Sequence, residues 1–146
     1  MRAVFVFGQI RFNARQVLLD LGVGVDISPQ SFSGSVETTN GEAIVRVNSR
    51  DTAIRQRFAL AHELGHLLLH VDPSVSGVHF RDTNYLGNTR QEREANAFAS
   101  EILMPKVWIS ELRKIGHNAE SMAEIFGVSV DAVRTRTGYM ISKGRL

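Results

Sequence analysis

Apolar positions along the chain change their spacing several times, and each change predicts an element. Phe12, Val17, Leu18 and Leu21 recur at helical intervals with Gly22 as a stop, which predicts a helix over residues 12–21. Val23 and Val25 then alternate as a short strand. Residues 34–39 and 42–48 are two strand-like runs separated by Asn40-Gly41, a pair that readily supplies the two positive φ angles of a type I′ turn, so this stretch predicts a β-hairpin. In its second strand Val45 and Val47 share one face and Ile44 and Arg46 the other. Phe58 to Leu69 is an apolar stretch of about three helical turns, with Ser49 or Asp51 placed to cap the helix. Residues 72–88, rich in Gly, Ser, Asp and Asn, read as a loop. Ala95, Phe98, Ala99 and Ile102 then repeat as i, i+3, i+4, i+7, predicting an amphipathic helix that ends before Pro105. Beyond it, short helices are expected over residues 106–115, about 118–126 and about 129–138.

The apolar helix over 58–69 carries His62-Glu63-Leu64-Gly65-His66, an H-E-x-x-H pattern. Residues four apart on a helix differ by about 40° of rotation, so both imidazoles can face one metal ion, whereas Glu63 lies about 100° from His62, beside the ion and not on it. In this arrangement two histidines hold zinc and the glutamate takes a proton from water, which points to a zinc-dependent hydrolase, foremost a protease. A glutamate is costly to bury in such a helix unless a cation offsets its charge. Gly65 costs about 1 kcal/mol relative to Ala in a helix interior, and its missing side chain leaves room for another backbone to approach.

A catalytic zinc site takes three protein ligands, and with no cysteine in the chain the third must be His, Asp or Glu. Glu92 and Glu94 flank the apolar face of the second helix at similar angles, and the helical wheel does not choose between them. In the 72–88 stretch His79 and Tyr85 can each donate a hydrogen bond to a developing oxyanion, and Tyr85 is the preferred candidate. His70 closes the first of the two helices, where a cation or donor suits the helix dipole.

Three ordered motifs, Arg57-Phe-Ala-Leu-Ala-His-Glu-Leu-Gly-His66 with Leu69-His70, Glu92-Arg-Glu-Ala-Asn-Ala-Phe-Ala99 with Leu103-Met-Pro105, and Phe126-Gly-Val-Ser129, resemble the ImmA/IrrE-like metallopeptidases of bacteria and their mobile elements. The resemblance implies an α+β, zincin-like peptidase domain: a small β-hairpin or sheet packed on the active-site helices, followed by a short helix-turn-helix-like tail. It also implies that the Glu preceding Ala-Asn completes the zinc site, which carries over onto Glu94. The expected site is therefore Zn²⁺ held by His62, His66 and Glu94, with Glu63 as general base, Tyr85 as helper, and Glu92 as a solvated or supporting carboxylate. The strand edge that holds substrate in zincins would fall to the hairpin. As substrate the resemblance implies a specific protein, a helix-turn-helix repressor or an antitoxin-like regulator. Little sequence follows Met140 to form the sensor domain of longer members.

Composition narrows the rest. At 146 residues and 43% hydrophobic content, one domain over 1–146 is expected, with about 106–146 as its helical extension. The absence of cysteine excludes a disulfide framework and a Cys-held structural zinc. The apolar run at residues 3–7 is too short for a membrane span or a signal-peptide core, so no membrane partner and a cytoplasmic location are expected. Net charge is only +2, but residues 105–146 carry seven Lys or Arg against four acids, while 61–104 carry three Arg against six. Arg134 and Arg136 lie about 160° apart on a helix, so one should face solvent and the other pack; nucleic acid is not the expected partner. Two other classes remain open: a non-proteolytic toxin or partner-binding module that keeps the fold, and a DNA-binding regulator. The sequence leaves oligomeric state open.

Overall fold

The computed structural model describes residues 11–83, 85, 87 and 89–146, so the apolar run at 3–7 lies outside the described residues. In chain order these hold α1 (Ala14–Asp20), β1 (Gly24–Ser28), β2 (Gly34–Thr39), β3 (Glu42–Asn48), α2 (Ala53–His70), β4 (Gly77–Asp82), α3 (Arg90–Leu103), α4 (Lys106–Lys114), α5 (Ala119–Phe126) and α6 (Val130–Ser142). The chain is thus a mixed α+β protein. The described residues divide into two compact units, 13–99 and 100–146 together with 11–12.

In the unit 13–99, Asn40 and Gly41 take φ angles of 52° and 81°, the turn expected of this dipeptide, and β2 folds back antiparallel on β3. Val45 and Val47 are fully buried while Ile44 and Arg46 are partly exposed, so the alternation read from the sequence sets which face of β3 enters the core. Arg46 forms ion pairs with Asp26 on β1 and Glu37 on β2, tying three strands on the outer face. The strand order is β1-β3-β2-β4, with β1 parallel to β3 and the other pairings antiparallel.

Two expectations change here. The hairpin occupies the middle of the sheet, so the edges are β1 and β4. And β4 itself lies in the stretch expected to be a loop: its residues meet the edge of β2, with a shift of register at Val36/Glu37, and backbone pairing overrides the low strand propensity of Gly77 and Asp82. Helix α2 starts earlier than the apolar stretch that predicts it. Its N-cap is Thr52, whose hydroxyl accepts from the Arg55 amide, and Asp51 instead pairs with the Arg55 guanidinium.

In residues 100–146, Asn118 and Ser121 cap α5 reciprocally, Gly127 ends it at φ 68°, and the Ser129 side chain caps α6. Ile109, Leu112, Met122, Phe126, Val133 and Met140 are among the buried apolar residues of these helices. Arg134 is exposed and paired with Glu120, whereas Arg136 is buried and donates to the Met104 carbonyl. Among the described residues no helix is long and apolar enough to cross a membrane.

Candidate metal centre

The middle of α2, from Ala59 to His66, is buried throughout, and His62, Glu63 and His66 have no solvent exposure at all. A helix interior this apolar holds three such side chains only if their polar atoms meet something. Gly65 lets the helix lie close to α3, because a Cβ there would come within 2.9 Å of the Phe98 ring. The approach expected of a backbone is made by a side chain. Gly34 on β2 faces Glu63 in the same way: a Cβ would fall 2.8 Å from Glu63 Oε1.

Four ligand atoms converge beside α2. His62, His66, Asp82 and Glu92 each offer one, all within 4.8 Å of one another. Glu92 Oε2 lies 3.1 Å from His62 Nε2, and its Oε1 lies 2.9 Å from His66 Nε2. Asp82 Oδ2 lies 3.3 Å and 3.9 Å from the same two nitrogens. Yet neither Nε2, nor Asp82 Oδ2, nor Glu92 Oε2 makes a hydrogen bond, although all are buried. These atoms point at a shared space and not along each other's lone pairs. Two ligands each about 2.0–2.1 Å from a tetrahedral zinc ion sit about 3.3 Å apart, close to the separations found here. The donor set, two imidazoles and two carboxylates, fits a divalent ion bound by nitrogen and oxygen.

The expected third ligand, Glu94, is not among these residues. It lies on a different face of α3, half-exposed, where its Oε1 accepts from Arg90 Nε at 2.7 Å and its Oε2 lies 3.2 Å from His70 Nε2. These contacts hold its pKa below the usual carboxylate range, the His70 bond first and then Arg90. Glu92, expected to be a supporting carboxylate, is the one turned to the imidazoles. His70 does more than close its helix: its Nδ1 lies 2.9 Å from His66 Nδ1.

The site's electrostatics follow from burial. Burial, then the neighbouring His62, lowers the His66 pKa to about 3, so its imidazole is neutral. Burial, then Asp82 and Glu92, raises the Glu63 pKa well above the ordinary value. Burial works in the same direction on Asp82, but contacts with His62 and Glu63 outweigh it and hold its pKa low. Burial, then Asp82, raises that of Glu92. Carboxylates this close do not all ionise unless a cation joins them.

Asn96, four residues after Glu92 on α3, donates through Nδ2 to the Tyr85 carbonyl at 3.0 Å. Its Oδ1 is therefore the atom 2.9 Å from His62 Nδ1, and it accepts that ring's proton. The lone pair of His62 is left on Nε2, facing the shared space. The Tyr85 ring lies 4.6 Å from that of His62 and 5.0 Å from Phe58, with its hydroxyl buried and lacking a hydrogen bond. Burial, then Glu63 and Asp82, pushes the phenol's pKa up, so it keeps its proton. His79, the other oxyanion candidate, is instead tied to Thr38 Oγ1 and the Val75 carbonyl.

Asp82 was missed because its stretch reads as loop; the alternation of Val78, Phe80 and Asp82 against His79 and Arg81 is the signal that places it on a strand face. Phe80, on that same face, stacks on the His66 ring at 3.7 Å between centroids.

Two buried imidazoles face Asp82 and Glu92 beside the buried Glu63, an arrangement that could hold a metal ion, and comparison with known proteins points to a peptidase family. The model of the IrrE N-terminal-like domain, a peptidase family, matches residues 23–137, and the chain belongs to that family, as the resemblance implied. The radiation response metalloprotease IrrE of Deinococcus radiodurans is 37% identical over 87 residues, which are 56% of this chain and 26% of that protein. An uncharacterized immunity region protein 2 of Bacillus phage phi105 is 28% identical over 85 residues, 58% of this chain and 52% of its own length. The chain thus spans roughly a quarter of the one relative and roughly half of the other.

Proposed function

We propose that the chain is a zinc-dependent peptidase of zincin-like fold, with His62, His66 and Glu92 as the metal-holding residues in place of the expected Glu94. The observation that carries this reading is the convergence of buried lone pairs, on two imidazoles and two carboxylates, that no hydrogen bond satisfies. When bound, zinc supplies Lewis acidity, polarising a peptide carbonyl and acidifying water.

The chain's own residues do the rest. Asp82 and Glu63 are neighbouring carboxylates with pKa values pushed apart, which makes Asp82 the ionised partner and Glu63 the one that carries a proton. With a cation held by the imidazoles that proton is released, and the Glu63 carboxylate then accepts one from the attacking water and returns it to the leaving amide nitrogen. Tyr85, which keeps its phenolic proton, donates to the oxyanion that develops on the carbonyl. Strand β4, an edge of the sheet that ends at Asp82, is the place for an extended substrate segment to add as a further strand, a role the hairpin's central position denies to β2 and β3.

The substrate class is a specific protein, a transcriptional regulator or an antitoxin, cut in an extended or locally unfolded segment. Absence of cysteine suits a reducing cytoplasm. Co-incubation of zinc-loaded protein with regulators encoded beside it should yield fragments that disappear with chelator and with Glu63→Gln. Regulators that stay intact while binding tightly to both wild type and Glu63→Gln would replace the peptidase with a binding module.

A further inference from the structure

We propose that His70 and Glu94 are positioning residues that lock His66 in the tautomer protonated on Nδ1; the proposal rests on the reading of His66 as a metal ligand. Four side chains form one line of contacts. Arg90 Nε lies 2.7 Å from Glu94 Oε1, Glu94 Oε2 3.2 Å from His70 Nε2, and His70 Nδ1 2.9 Å from His66 Nδ1. The proton positions follow from the two ends. Glu94 Oε1 accepts from the Arg90 guanidinium, and its Oε2, the oxygen facing His70, accepts as well. The hydrogen on its Oε2 contact therefore belongs to His70 Nε2. His66 Nε2 faces Glu92 and the shared space as the ligand atom, so the hydrogen between the two Nδ1 atoms is on His66 and His70 Nδ1 accepts it. His66 thus donates from Nδ1, and its own lone pair is on Nε2, the atom 2.9 Å from Glu92.

The same result is reached for His62 by a different route. There the acceptor is an amide oxygen, oriented by a backbone carbonyl. For His66 the acceptor is a second imidazole, oriented by a half-exposed ion pair on α3. Phe80 stacks within 10° of parallel on His66 and fixes the ring plane, so the relay has only the ring's proton to decide. Residues on α3 thus act twice: Glu92 from the metal side and Glu94 from the far side of the same histidine. A ligand imidazole that lacks its outer hydrogen bond loses about 10–100-fold in metal affinity, which is the scale expected here.

The test uses the full chain and zinc alone. Zinc affinity is read by competition with a chelator of known strength, and the ring nitrogens of His66 are read by ¹⁵N NMR on metal-free protein. Wild type should bind zinc and show a protonated Nδ1 and a bare Nε2. His70→Phe, which removes the acceptor, should weaken zinc about 10–100-fold and mix the His66 tautomers. Glu94→Ala, a change at a half-exposed position, guards against a His70 variant that fails to fold and should weaken zinc about 3–10-fold. Glu94→Gln should come close to wild type, because an amide oxygen still accepts from His70. Zinc affinities within twofold of wild type for folded His70→Phe and Glu94→Ala would overturn the proposal while leaving the site itself intact. So would a wild-type His66 protonated on Nε2. Wild-type protein that binds no zinc would overturn the site and the relay together.

Discussion

Residues 100–146 and residues 13–99 treat their buried polar atoms in opposite ways. In the first, the buried guanidinium of Arg136 meets the Met104 carbonyl, and helix ends are closed by Asn118, Ser121 and Ser129. In the second, both ligand-side histidine nitrogens, both oxygens of Glu63, and atoms of Asp82, Tyr85 and Glu92 are buried without a hydrogen-bond partner. An orphaned buried polar group costs about 1–3 kcal/mol, more if charged, so a marginally stable domain does not keep such a cluster for packing. On the proposed reading, the contrast separates a region closed by its own hydrogen bonds from one arranged to receive an ion.

The strongest way to break the contrast is at the histidines. His62→Ala or His66→Ala should abolish tight zinc binding, and zinc at 100 times its Kd should stabilise the wild type alone, by about 2.7 kcal/mol in a thermal or urea melt. Glu63→Gln separates catalysis from binding: hydrolysis should fall about 10²–10⁴-fold with zinc retained, since the amide cannot accept the proton. Its metal-free stability should stay within about 1 kcal/mol of wild type, because a protonated buried carboxyl and an amide are nearly isosteric. Gly34→Ala pushes a methyl group against the Glu63 carboxylate and should cost about 1–3 kcal/mol by denaturant melt, together with activity. In the other region Arg136→Ala should cost a similar amount, about 1–3 kcal/mol, by leaving the Met104 carbonyl unmatched, yet leave zinc affinity unchanged. Arg134→Ala removes only an exposed ion pair and should shift stability by less than about 1 kcal/mol.

Much of this was legible in the sequence because local rules decide it. Asn40-Gly41 dictates its turn, Val45 and Val47 their face, and the four-residue spacing of His62 and His66 puts both imidazoles on one side of α2. What was not legible depends on partners distant in the chain. Strand β4 exists because β2 offers it an edge, and nothing local to Gly77–Asp82 requires that. The proposed choice of Glu92 over Glu94 turns on the centre of the buried face of α3. Ala95 and Ala99 are fully buried whereas Phe98 is not, so the face is centred nearer Glu92 than the four apolar positions suggest. Glu92, Ala95, Asn96 and Ala99 share that face, and Asn96 contacts His62 from it. Counting residues as apolar, without weighing how deeply small ones sink, hid the distinction. His70 escaped for a related reason: four residues after His66, it lies on the same side of the helix, a position that serves a ligand's outer nitrogen as well as a helix end.

The central claim, that the unsatisfied atoms beside α2 are metal ligands with Glu92 among them, is tested most directly by zinc stoichiometry. Wild type, Glu92→Gln and Glu94→Gln are each loaded with zinc, passed through a weak chelator and measured by elemental analysis beside a folding control. About one zinc per chain should remain in wild type and in Glu94→Gln, and it should be lost from Glu92→Gln. Zinc kept by Glu92→Gln and lost from Glu94→Gln, or no zinc in the wild type, would contradict the assignment.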